Sequence, residues 1–344
     1  MTLVLGLESS CDDSAAALVD GDGRIIAQAV VGQNDAHAPY GGVVPEIAAR
    51  AHIDVLPGLI RQVLTDAAIE LAQVDAIAAT AGPGLIGGVM VGLLAGKGVA
   101  LAANRPLFAI NHLEGHALSP RLADPALGFP YLLLLASGGH CQLIEVAGVG
   151  RYRRLATTID DAAGEAFDKA AKLLGLPYPG GPAIEVLAAT GDPRAVPLPR
   201  PLLGSSEPYF SFAGLKSAVQ RAVATGAHAP ADLAASFQQA VIDCLVDRAA
   251  RALAISSAPT LVVAGGVAAN TAVRSALAAL AHRHGRAFAV PPAALCTDNA
   301  AMIAWAAVER IAIGAAPDAH DAPARARWPL DPAAEAARGA GVKA

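Results

Sequence analysis

The chain opens with an apolar run, TLVLGLE, that ends in the small polar turn SSCDDS. A second apolar run, AAALV, follows, and the turn DGDG (20–23) leads into a third, RIIAQAVV. Strand, turn, strand, turn, strand predicts an antiparallel meander with hairpin chemistry in both connections. The pattern recurs past the middle. PYLLLLA (130–136) ends in SGGH (137–140), continues as CQLIEVA, turns at GVG and continues as RYRRLAT. Two copies about 130 residues apart predict an internal duplication, and a period that long signals a doubled domain, not a solenoid.

After each meander the period changes. Pro45 to about Ala68 reads as helix and VDAIAATAG as strand. The loop GPGLIGG (82–88) opens the helix VMVGLLAGKGVALAAN, and the strand PLFAIN delivers His112. In the second half AGEAFDKAAKLLGL and ADLAASFQQAVIDCLVDRAARALA read as helices, TLVVAGG (260–266) as a buried strand, and VAANTAVRSALAALAHRHG as the next helix. Helices alternating with strands predict α/β layers. From about Ala315 the chain is rich in Pro, Ala, Asp and Arg without a clear period and reads as a peripheral tail.

Composition narrows the class. The 344 residues are 54% hydrophobic and 16% charged, enough to bury a sizeable core. The net charge of −5 gives no overall attraction to nucleic acid, so such a partner needs local basic patches. Cys11, Cys141, Cys244 and Cys296 form no CxxC pair, which argues against a disulfide framework and suits a reducing compartment. The N-terminus lacks the pattern of a signal peptide. The apolar run LIGGVMVGLLAG (85–96) reads as too short to span a bilayer and is stopped by Lys97. The expectation is a cytoplasmic protein with no membrane segment.

The stretch INHLEGHAL (110–118) carries the first candidate chemistry. At about 100° per residue on a helix, His112 and His116 lie about 40° apart on one face, and Glu114 lies about 200° from His112. The pair suits two ligands on one ion; Glu114 is misplaced for the general base of an HExxH protease. The alternative is two ordinary helical histidines. A third ligand is needed, and Asp298 in CTDNAAMIA (296–304) is the candidate. By local sequence alone, capping of the following helix by Thr297 or Asp298 is the plainer reading.

The glycine loops come next. SGGH and AGGVAAN each follow a buried strand, and YPGGPAIE (178–185) precedes a helix. Such loops let backbone N–H groups approach an anion, and Asn270 stands where a ligand or a helix first turn would use it. GxxxxGK[ST] is absent, so a Walker ATPase is not indicated. Three loops around a duplicated meander predict a nucleotide in a cleft between two lobes. Asp12 and Asp13, at the end of the first strand, either serve that cleft or form an Asx turn. Glu165 and Lys169 read as an i,i+4 pair. Arg151, Arg153 and Arg154 read as phosphate contacts or as a solvated strand edge.

Taken together, ESSCDDSA, GPGLIGG, NHLEGH, LASGGH, AGEAFDKAAKLLGLPYPGGP, FSFAGLKSA, GGVAAN and CTDNAAMIA, in this order, resemble the TsaD family of bacterial tRNA adenosine threonylcarbamoyltransferases, once described as O-sialoglycoprotein endopeptidases. The resemblance runs from about residue 3 to residue 310. It implies an actin-like, two-lobed α/β fold of the sugar-kinase and Hsp70 type, built from duplicated ribonuclease-H-like domains with a central cleft. The lobes would be 1–128, carrying the His pair, and 129–314, carrying substrate loops, with the last helix (299–314) packing back on the first lobe and 315–344 as tail.

The resemblance also implies the reaction. Threonylcarbamoyl-adenylate gives its threonylcarbamoyl group to the N6 amine of adenosine 37 in tRNAs reading ANN codons, and AMP leaves. It implies one divalent metal on His112, His116 and Asp298, usually Fe(2+); two imidazoles and a carboxylate suit Zn(2+) equally by ligand type. It carries substrate contacts onto Leu135, Ala136, Ser137, Gly138, Gly139, Asp168, Gly181, Glu185 and Asn270, where the family often has Asp at the position of Glu185. Asp12 matches an acidic position implicated in activity and is the candidate general base. The implied partners are tRNA and the proteins TsaB and TsaE, with TsaC supplying the adenylate. The rival readings are an ATPase or kinase of the same fold and a metalloprotease.

Overall fold

The computed structural model describes residues 2–40 and 42–335, and the last part of the expected tail lies outside the described residues. The chain divides into two units. Among the described residues, one comprises 2–40, 42–128 and Thr297–Pro332; the other comprises Phe129–Cys296 and 333–335.

The first unit holds β1 (Leu3–Glu8), β2 (Asp13–Asp20), β3 (Ile25–Gly32), β4 (Ala76–Gly82) and β5 (Leu107–Asn111), in the order β3-β2-β1-β4-β5. β1 runs antiparallel to β2, with Leu3 opposite Asp20 and Glu8 opposite Ala15, and β2 runs antiparallel to β3. β4 is parallel to both β1 and β5. β1 lies at the centre with Val4–Glu8 buried, which is why it reads as a continuous apolar run and not as an alternation.

Alternate residues of β1 serve two faces. Leu5 and Leu7 join Leu56 and Leu59 of the helix Pro45–Asp66 and Leu93 of the helix Ile86–Ala103 in one core. Gly6 faces the helix Ala300–Ala312, and a Cβ added there would stand 2.4 Å from the Ala300 carbonyl oxygen and 2.7 Å from the Ala304 nitrogen. The helix therefore rests on bare strand backbone. The helix Ile86–Ala103 makes a similar close approach: a Cβ at Gly92 would lie 2.0 Å from Ser9 Oγ, and Ser9 Oγ donates to the Gly88 carbonyl at 2.9 Å. This helix runs past Lys97 to Ala103, so the expectation of a run too short to cross a membrane does not hold for the whole element; by length and composition alone it is long and apolar enough. It packs against β4 and the Pro45–Asp66 helix.

The Pro- and Ala-rich segment after Gly314 lies along the first unit. Asp318 N donates to the Leu107 carbonyl (2.8 Å), Arg325 N to the Ala81 carbonyl (2.8 Å), and Asn111 Nδ2 to the Trp328 carbonyl (3.0 Å).

The second unit holds β6 (Tyr131–Ala136), β7 (Cys141–Gly148), β8 (Arg151–Thr158), β9 (Tyr209–Phe210), β10 (Thr260–Ala264) and β11 (Ala287–Ala289), ordered β11-β10-β6-β7-β8-β9. β6, β7 and β8 form the antiparallel meander, and β10 is parallel to β6 and β11. Leaving aside β9, order and direction repeat those of the first unit, so the duplication is one of topology. β9 and β11 escape sequence reading because two and three residues carry no period. The expected single helix from Val267 is broken: a 3₁₀ turn spans Gly266–Ala269, and Asn270 starts a new helix, Thr271–Arg283.

Gly6→Ala is expected to cost roughly 3 kcal/mol, because backbone and not a flexible side chain would have to move. The melting temperature should fall by about 4 °C. A shift under about 2 °C in a thermal melt would show that the helix does not rest on Gly6 as described.

Candidate metal centre

β5 ends at Asn111, whose side chain accepts from Leu113 N at 2.9 Å and caps the helix His112–Ala123. Strand and cap together place His112 and His116 on successive turns, both buried. Their ring centroids are 4.7 Å apart with planes at 89°. Glu114 points elsewhere and pairs with Arg310 of the helix Ala300–Ala312.

That helix supplies the third group. Its cap is Asn299, whose Oδ1 accepts from Met302 N at 2.9 Å; neither Thr297 nor Asp298 serves, which corrects the capping alternative. Asp298 Oδ1 lies 3.0 Å from His116 Nε2 and 3.5 Å from His112 Nε2, and its side chain is 23% exposed. One ligand atom from each residue lies within 4.8 Å of the others. Ligand atoms about 2.1 Å from one ion in tetrahedral or octahedral geometry stand ~3.0–3.4 Å apart, so the distances from Asp298 to the two histidines are close to those of a single divalent site. The metal's identity does not follow from this donor set.

Sequence reading missed Glu8. It is the last residue of β1 and fully buried. Its Oε1 accepts from Ser10 N at 2.6 Å, and its Oε2 accepts from Thr80 Oγ1 at 2.6 Å and lies 3.0 Å from His112 Nδ1. The available signal was a carboxylate at the end of an otherwise apolar central strand. Burial by itself would push Glu8 up, but the adjacent His112 charge and hydrogen bond override it and hold the carboxyl below its usual range. Burial likewise opposes charge on His112, yet Glu8 and then Asp298 raise it to about 9. His116 has no such anchor: its Nδ1 is buried without a hydrogen-bond partner among the described residues, so helix packing aims its ring.

The turn between β1 and β2 carries Cys11, Asp12 and Asp13. It is held from below, where His52 Nε2 donates to the Cys11 carbonyl (3.1 Å) and the His52 Nδ1 side meets Ser14 Oγ (2.7 Å). Gln33 N donates to the Asp12 carbonyl at 3.1 Å. Burial, then the charges of Asp298, Asp12 and Glu8, push Asp13 up to about 7. Burial and the neighbouring acids raise the Cys11 thiol well above its usual range, so it stays protonated. All four cysteines are free.

The remaining predicted residues lie in the second unit and share one neighbourhood there. Leu135 and Ala136 end β6 and are buried. Ser137 N donates to the His140 carbonyl (2.8 Å) and His140 N to Ser137 Oγ (3.1 Å), which tightens the SGGH turn. Gly138 and Gly139 face open space. Gly265, at φ +92°, passes so close to Ala136 that a Cβ would lie 2.3 Å from its carbonyl oxygen. Asp168 Oδ1 accepts from Gly180 N (2.7 Å), beside Gly181. Glu185 Oε1 accepts from Thr271 N (2.7 Å). Asn270 caps its helix through Val273 N and donates to Gln238 Oε1 at 2.8 Å. Lys169 pairs with Asp161 as well as with Glu165. Arg153 is paired with Glu145, and Arg151 Nη2 turns back to the Ala147 carbonyl, so both have partners within the sheet.

Comparison with known proteins adds the family. A model described as TsaD, tRNA N6-adenosine threonylcarbamoyltransferase, matches residues 24–305. A protein of that name from Sphingopyxis alaskensis is 72% identical, with all of both chains aligned, and one from Novosphingobium aromaticivorans is 66% identical over all of both. Among solved structures, component A of the (R)-2-hydroxyglutaryl-CoA dehydratase of Acidaminococcus fermentans is similar with a TM-score of 0.55 at 17% identity, covering 91% of this chain and 100% of that one. That likeness carries the fold alone, an actin-like one, in keeping with the doubled sheet order. The match over residues 24–305 and the full-length relatives establish that the chain belongs to the TsaD family of tRNA N6-adenosine threonylcarbamoyltransferases.

Proposed function

We propose that the chain transfers the threonylcarbamoyl group of threonylcarbamoyl-adenylate to the N6 amine of adenosine 37 in tRNAs reading ANN codons. The observation that carries this is family membership over the full length at 72% identity. In the step, the amine nitrogen bonds to the carbamoyl carbon, the bond from that carbon to the AMP oxygen breaks, and one proton leaves the amine. AMP is an activated leaving group, so no nucleophilic side chain is required. The amine is delocalised into the purine, so orientation carries much of the rate.

His112, His116 and Asp298 would hold one divalent ion, Fe(2+) by family likeness, with Zn(2+) equally suited by ligand type. When bound, such an ion polarises a carbonyl or phosphate oxygen and orients substrate. In the second unit Leu135–Gly139, Asp168, Gly181, Glu185 and Asn270 would receive the adenylate, with open backbone at Gly138 and Gly139 near developing negative charge. Asp12 takes the proton; what supports this is its place on the same turn that leads from Glu8, partly exposed to solvent. The net charge of −5 and the pairing of Arg153 favour a tRNA surface shared with TsaB and TsaE in the cytoplasm. Against a protease reading stands Glu114, which is held by Arg310.

Nucleoside mass spectrometry on tRNA from cells depleted of the protein tests the reading. Threonylcarbamoyladenosine should vanish and return with wild type but not with His112→Ala; a level that never changes would remove the transferase reading for this chain. Asp12→Asn should lower turnover by about 10²–10⁴-fold with metal content unchanged. Wild-type turnover in that variant would cancel the base assignment.

A further inference from the structure

The surroundings of His112 constrain its protonation more tightly than its role as a ligand alone would require. The Glu8 carboxylate only accepts hydrogen bonds. Three donors converge on it: Ser10 N at 2.6 Å, Thr80 Oγ1 at 2.6 Å and His112 Nδ1 at 3.0 Å. Glu8 and Thr80 are buried, and so is the ring. The contact therefore exists only with a proton on Nδ1. The Ser10 hydroxyl, 3.1 Å from the same nitrogen, is then a second acceptor for that proton. The other ring nitrogen, Nε2, is the one 3.5 Å from Asp298.

We propose that Glu8 is a positioning residue for the transfer reaction, fixing the Nδ1–H form of His112 so that its Nε2 is held as a lone-pair donor toward the cation. This rests on the metal reading above. A carboxylate behind a ligating imidazole also raises the basicity of the ligand and locks its ring. His116 lacks any counterpart, because its Nδ1 has no partner among the described residues. The two ligands are thus unequal: His112 is fixed by chemistry and His116 by packing.

Glu8→Gln is the discriminating change. An amide keeps the shape but replaces one acceptor with a donor. Placed toward Ser10, its NH₂ meets an N–H; placed toward His112, it requires Nδ1 to accept, which moves the proton to Nε2, the metal-facing atom. Thr80→Val keeps the shape but removes the Thr80 hydrogen bond to Glu8 and leaves the contact with Nδ1 intact, so it measures what loss of a different hydrogen bond at Glu8 does by itself.

The test uses zinc as probe on the full chain. Zinc affinity is read by chelator competition, and the ring protons of His112 are read by ¹H–¹⁵N NMR of the zinc-loaded protein. Wild type should bind zinc and show a protected, downfield Nδ1–H on His112. Glu8→Gln should bind about 10–100-fold more weakly, while Thr80→Val stays within about threefold of wild type. If wild type takes up no zinc, the metal reading falls and this assignment with it. If wild type binds but Glu8→Gln matches it, or if Thr80→Val weakens binding as much as Glu8→Gln, the metal reading stands and the positioning role is wrong. An Nε2-protonated His112 in the wild-type zinc form overturns the role without recourse to any variant.

Discussion

The site depends on one close approach, that of the helix Ala300–Ala312 to bare backbone at Gly6 of β1. A methyl group on that residue would meet the Ala300 carbonyl at 2.4 Å. The approach sets the height of the helix over the sheet, and its Asn299 cap leaves Asp298 one residue outside the helix. Only so does a residue far along the chain reach two histidines that hang from the end of β5. Glu114 and Arg310 close the same interface from the other side of the His112–Ala123 helix. The packing of one helix on one glycine thus determines the geometry of the trio.

A second constraint is electrostatic. Glu8, Asp12, Asp13 and Asp298 crowd the C-terminal end of β1 and its turn, and burying like charges is unfavourable unless cations compensate them. The consequences differ by neighbour. Glu8, against His112, stays ionised despite complete burial, whereas burial and then the charges of Asp298, Asp12 and Glu8 push Asp13 up to about 7. A divalent ion on the trio would supply the missing positive charge. The excess of carboxylates is in that sense an argument from charge balance for a cation, independent of the ligand spacing.

Much of the fold was legible because the meanders alternate cleanly with helices, and the duplication emerged as the same strand order in both units. Where sequence reading fell short, the cause is physical. β9 and β11 are too short to show a period. Asn270 starts a helix where apolar periodicity alone runs on, because a side-chain cap is not a hydrophobic signal. The pair His112 and His116 was visible from spacing, since one helical turn suffices to bring them together. Asp298 was left open because Thr297, Asp298 and Asn299 are all capping residue types and only the backbone decides among them. Glu8 was invisible: its partners Thr80 and His112 are 72 and 104 residues away in sequence, and no local pattern joins them. The reaction itself came from resemblance, not from periodicity or charge.

X-ray absorption spectroscopy of the metal-loaded chain addresses the central claim most directly, for it reads the ligands of the ion and not their consequences. The account predicts a first shell containing two imidazole nitrogens and a carboxylate oxygen at about 2.0–2.2 Å, with one imidazole lost in His116→Ala. A shell without imidazole scattering, or one left unchanged by that substitution, would contradict it.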